Sequence, residues 1–181
     1  MKRTFLSLGL LAAMVFAVVA SAAAPTNFAG TWTLDKAKSA GLDPRMQNAE
    51  SVQWVITQDD KQISIETKIT GGQQGGGPGS GSGGGGGRGG GMGGPRTYTL
   101  DGKEVTSESN GGSSVTKATW SGDQKTLELS SVRFGNFNGN EFKATTVDKL
   151  SLSADGKVLT VKRNGESPRG AIDATYVFNK Q

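Results

Sequence analysis

The sequence predicts an all-β fold: an antiparallel up-and-down meander of about eight to ten strands, closed into a barrel and interrupted by one glycine-rich loop insertion. Three observations predict it. Apolar residues recur with a period of two in several short runs, turn sequences separate those runs, and a single stretch, residues 36–50, lacks that period. Without crossover helices parallel pairing is disfavoured, and closure would remove the two edges an open meander exposes.

The elements follow in chain order. Lys2 and Arg3, an apolar run over residues 5–20 and the small residues Ser21 to Ala24 have the layout of a secretory signal peptide. Cleavage is expected after Ala22, because a cut after Ala24 would place Pro25 just beyond the scissile bond. Residues 1–22 are therefore expected to be removed, leaving 23–181 as one periplasmic or secreted domain with no membrane span. No cysteine is present, so a lipidated cysteine and disulfides are both excluded, and stability must come from the core and its hydrogen bonds.

Val52, Trp54 and Ile56, then Ile63, Ile65 and Ile69 after the Asp59-Asp60 turn, read as a hairpin. Before them, Asp43 followed by Pro44 suits a helix N-cap and first position, so a short helix to about Ala49 is expected. Between Gly71 and Pro95, 17 of 25 residues are glycine, a composition with no side chains to bury and much backbone entropy to lose. This tract is expected to be a flexible loop inserted within the domain, because the mature chain before it is too short to close a sheet of its own.

Beyond the tract, residues 97–100 and 103–109 flank Asp101-Gly102 and predict a second hairpin with a two-residue type I′ turn. Strands follow over 115–120 and 126–134, then a loop over 135–140, then 142–153 with weaker alternation. The last elements, 150–153, 158–163 and 174–178, are separated by Ala154-Asp155-Gly156 and by Ser167 to Gly170.

Composition excludes more chemistry than it suggests. The chain has neither histidine nor cysteine, so the usual metal and haem ligands and the Ser-His and Cys-His nucleophile pairs are missing, and no metal or cofactor is expected. Asp59, Asp60, Asp101, Asp123 and Asp155 fall in predicted turns, where carboxylates bond their own backbone. The strand glutamates have no spacing that pairs two in one cleft, so no enzyme activity is expected. Loss of Lys2 and Arg3 leaves 18 basic residues against 16 acidic ones, too even a balance for a nucleic-acid partner. The glycine tract matches dinucleotide fingerprints by composition only, with no strand before it and helix after it. Outward strand positions carry Gln53, Lys68, Glu128, Lys149 and Lys162, unlike the apolar band of an outer-membrane barrel.

Gly30-Thr31-Trp32 near the expected mature N-terminus, with residues 150–161 and the terminal 174–178, resembles small secreted bacterial proteins described as lipocalin-like. The resemblance implies an up-and-down calycin-type barrel, closed at one end by Trp32, on which an arginine stacks; Arg163, sharing the parity of Leu159 and Val161, is the matching candidate. Two functions stay open. Trp54, Tyr98, Trp120, Phe142 and Tyr176 either wall a cavity for one small, partly apolar ligand or pack a filled interior, making the barrel a structural or protein-interaction module of the envelope.

Overall fold

The computed structural model describes residues 24–71, 95–109, 112–137 and 140–181. The expected signal peptide and nearly all of the glycine tract lie outside the described residues. Ten strands form one antiparallel sheet: β1 (Gly30–Leu34), β2 (Ser51–Gln58), β3 (Gln62–Thr70), β4 (Arg96–Thr99), β5 (Val105–Ser109), β6 (Gly112–Trp120), β7 (Thr126–Phe137), β8 (Asn140–Leu152), β9 (Val158–Ser167) and β10 (Gly170–Lys180). Their spatial order is β4-β3-β2-β1-β10-β9-β8-β7-β6-β5, a meander whose first strand pairs with its last. β4 comes back against β6, so the sheet curls into a nearly closed barrel.

The period-two runs become the inward face. Val52, Trp54, Ile56, Ile63 and Ile65 are buried across the β2–β3 hairpin, and Leu127, Leu129, Leu150, Leu159 and Val161 complete the opposite wall. Burying one such side chain contributes about 1.5–3 kcal/mol, which is how a chain without disulfides holds a barrel together. The turn aspartates accept backbone N–H bonds two residues on: Asp59 from Lys61, Asp101 from Lys103, Asp123 from Lys125 and Asp155 from Lys157. Each carboxyl is held below its ordinary pKa, at Asp59 and Asp101 chiefly by those N–H groups and at Asp123 and Asp155 first by the hydroxyls of Ser121 and Ser153.

One end of the barrel is closed by the segment ahead of β1. Thr26 N donates to Gln124 O (3.0 Å), Phe28 N to Gln58 Oε1 (2.9 Å) and Gln58 Nε2 back to Thr26 O (3.0 Å). Phe28, fully buried, then stacks on Trp120 with centroids 6.0 Å apart, and its carbonyl accepts from Trp32 Nε1 at 2.9 Å.

Near the other end lies the short helix α1 (Pro44–Asn48). Asp43 caps it, accepting from Arg45 N at 2.9 Å and Met46 N at 3.1 Å, and Met46 and Ala49 are buried against the core. Asp43→Ala is expected to cost about 1 kcal/mol, read as a lower urea midpoint at unchanged m-value.

Three expectations are corrected. The β4–β5 hairpin does not form: β4 pairs with β3, β5 pairs with β6, and the two edges meet at a seam without a ladder among the described residues. A type I′ turn needs positive φ at both central residues, and here Gly102 has it (+75°) while Asp101 does not. Second, the loop expected over 135–140 is largely strand, since Gly135 pairs with Phe142 and Phe137 with Asn140. Third, β9 and β10 run well past their expected ends, to Ser167 and from Gly170.

β3 and β4, on either side of the glycine tract, pair with each other, and Arg96 lies opposite Ile65 rather than Thr70. The flanking strand ends, Thr70 and Arg96, are therefore offset by five residues along β3, roughly 17 Å.

Candidate functional site

The strand register resolves the interior into rungs that run around the barrel wall. Trp120, Leu127, Leu150, Val161 and Tyr176 lie on one rung, all apolar or aromatic. Next come Ala118, Leu129, Asp148, Arg163 and Ala174, and beyond them Thr116, Ser131, Thr146, Gly165 and Ile172. Over three rungs the inward face thus changes from a packed apolar core to small and polar residues.

At the changeover sits an ion pair. Arg163 donates from Nε to Asp148 Oδ1 and from Nη2 to Asp148 Oδ2, both at 2.6 Å, and Asp148 is only 2% exposed. Facing positions on β8 and β9 hold both side chains ready for this fork, which makes the bidentate geometry cheap to form. Burial works against the charge of Arg163, but the hydrogen-bonded Asp148 carboxylate outweighs it and raises the guanidinium's pKa. The guanidinium also lies over the ring of Tyr176, Cζ 5.2 Å from the centroid, at the diagonal neighbour two residues along β10.

Above this pair opens a cleft of about 270 Å³, lined by Gly41, Asp43, Arg163, Ala171, Ile172, Asp173 and Tyr176. The stretch leading to α1 makes its near wall, held to β10 by paired bonds between Ala40 and Thr175 of 2.8 and 3.0 Å. Gly165 has no room for a side chain, since a Cβ there would come within 2.1 Å of the Thr145 carbonyl oxygen. β8 and β9 therefore approach closely just beyond Arg163. A second, shallower depression of about 600 Å³ lies at the far tip of β5–β8, beside Glu108, Phe134 and Glu141.

Of the aromatics expected to line a ligand site, Tyr176 reaches the cleft. Trp54 and Tyr98 are buried in the packed half, Trp54 against Phe178 with centroids 4.8 Å apart. Trp120 stacks on Phe28 at the closed end, and Phe142 lies on the polar half of β8, opposite Gly135. Trp54 Nε1 is buried without a hydrogen-bond partner among the described residues.

Arg163 points inward, as its parity implies, but not onto Trp32. Trp32 pairs with Lys180, whose Nζ sits 5.3 Å from the indole centroid. Arg163 lies opposite Ala174, six residues and roughly 20 Å along β10 from Lys180. The cation over Trp32 therefore comes from β10 and not from β9.

No protein-family model matches the chain, and no curated protein does. Among solved structures it is similar to the zebrafish ileal bile acid-binding protein complexed with cholic acid, at 12% identity and a TM-score of 0.47, covering 85% of this chain and 98% of that one. Strand order and register describe the fold without that likeness: an all-β antiparallel meander in a nearly closed barrel. No helix among the described residues is long and apolar enough to cross a membrane.

The residue missed from sequence is Asp148. Its signal was present: counting back from the Asp155-Gly156 turn through Leu152 opposite Leu159 puts Asp148 opposite Arg163. Burial raises the pKa of both Tyr98 and Tyr176, partly offset at Tyr98 by Arg96 and at Tyr176 by Arg163. In alkali the unfolded chain loses these protons first, so stability is expected to hold up to about pH 10 and fall above it. Absorbance at 295 nm should show both phenols ionising later in the native protein than after unfolding.

Proposed function

We propose that this chain is an exported, non-enzymatic barrel that binds one small, partly apolar molecule at the polar-lined end of its interior. The cleft over Arg163 and Tyr176 carries this reading: an aromatic ring, an apolar Ile172 and a half-buried cation converge on one concavity above a packed core. Its volume of about 270 Å³ lies just below the roughly 300 Å³ at which pockets begin to hold drug-sized molecules, so the ligand is small. Export rests on the layout of residues 1–22 and makes the ligand one met in the periplasm or outside the cell.

A second reading has its own observation. The other half of the interior is filled by Trp32, Trp54, Tyr98 and Phe178, as suits a structural or protein-interaction module of the envelope.

Native mass spectrometry of the protein isolated from its own compartment decides between them. A co-purifying small mass, with an intact chain starting at residue 23, is the result expected. A clean apo species that binds no solvatochromic dye would sink the ligand reading in favour of the second.

A further inference from the structure

The geometry points to a neutral hydrogen-bond acceptor, such as an amide or hydroxyl oxygen, and not a carboxylate, as the group that docks on Arg163. This rests on the ligand reading above and narrows it. A lone buried arginine would be an anion site, but this one is already neutralised, since Nε and Nη2 are both committed to the Asp148 carboxylate. A guanidinium has five N–H donors; two go to Asp148 and a further side-chain hydrogen bond joins it to Tyr176, so at most two N–H groups remain for the cleft that Arg163 lines. An incoming anion would meet Asp148 at the floor and Asp43 on the wall, two carboxylates against one cation, whereas Asp173 faces outward and bonds Asn164. Arg133, the next inward-facing cation on β7, is exposed and does not line the cleft. A neutral acceptor takes the spare donors without that repulsion, while its apolar part lies along Tyr176 and Ile172. A cationic ligand would gain the Asp43 carboxylate on the wall but leave those donors unmet at the floor, where an unpaired polar group is costly.

Three probes of one size separate the cases: benzamide, benzoate and benzylamine, each titrated into the full-length mature chain at low salt and followed by NMR at Tyr176, Ile172 and the Arg163 side-chain N–H. Benzamide is expected to shift these signals with an affinity at least ten-fold above benzoate and above benzylamine. Benzoate binding as well as or better than benzamide, or benzylamine binding best, at the same residues overturns the inference and leaves the ligand reading standing. No shift with any probe removes both. Asp43→Asn, which removes the wall carboxylate and keeps a side chain able to cap α1, should narrow the gap between benzamide and benzoate several-fold. An unchanged gap also counts against the charge argument. Asp148→Asn frees the guanidinium and should reverse the preference towards benzoate, provided its spectrum stays native.

Discussion

Replacing Arg163 with Leu is expected to cost about 3–5 kcal/mol, because it leaves the Asp148 carboxylate, 2% exposed, without its partner inside the barrel. Urea unfolding followed by tryptophan fluorescence would read this as a large fall in midpoint. The paired change Arg163→Leu with Asp148→Leu should recover most of the loss, since two apolar side chains at facing positions carry no desolvation penalty. If the double variant is as unstable as the single one, the cost lies in packing rather than in the orphaned charge. The double variant has a further use: it should fold yet bind nothing in the cleft.

Trp32→Ala is expected to cost a comparable 3–5 kcal/mol for a different reason. The indole is fully buried at the closed end, its Nε1 bonds Phe28 O at 2.9 Å, and Lys180 covers its ring. Truncation leaves a cavity where the N-terminal segment crosses the barrel. Phe28 and Trp120 would lose their support, so near-ultraviolet circular dichroism should weaken along with thermal stability. Trp32→Phe keeps most of the volume and should lose under half as much; equal losses would mean that the hydrogen bond outweighs packing at this site.

Much of the fold was legible because its apolar half obeys a simple rule. Where both faces of a hairpin differ in polarity, as at Val52, Trp54, Ile56 against Ile63 and Ile65, alternation reveals strand, facing and turn together. The same rule fades over 142–153 and past Arg163, and the rungs supply the reason. Inward positions there are Thr146, Ala144, Gly165 and Asp148, no more apolar than their outward neighbours. Alternation was lost where the interior stops being a core, and the candidate site lies at that boundary. The failed β4–β5 hairpin has another origin: Asp101-Gly102 is good turn chemistry, yet β4 finds its partner in β3, across a connection of 25 residues.

By itself the sequence determined the all-β class, the capped helix at Asp43, the turns at Asp59, Asp123 and Asp155 and the inward facing of Trp32, Trp54, Arg163 and Tyr176, because each depends on neighbours a few residues away. Only the tertiary structure decided which cation covers Trp32, that Arg163 meets Asp148 and Tyr176, where the seam falls, and which half of the interior is filled. Those depend on register between strands and on how far along the barrel each rung lies. Parity carries the direction of a side chain but not its height, and height separates a packed core residue from one that lines a cleft.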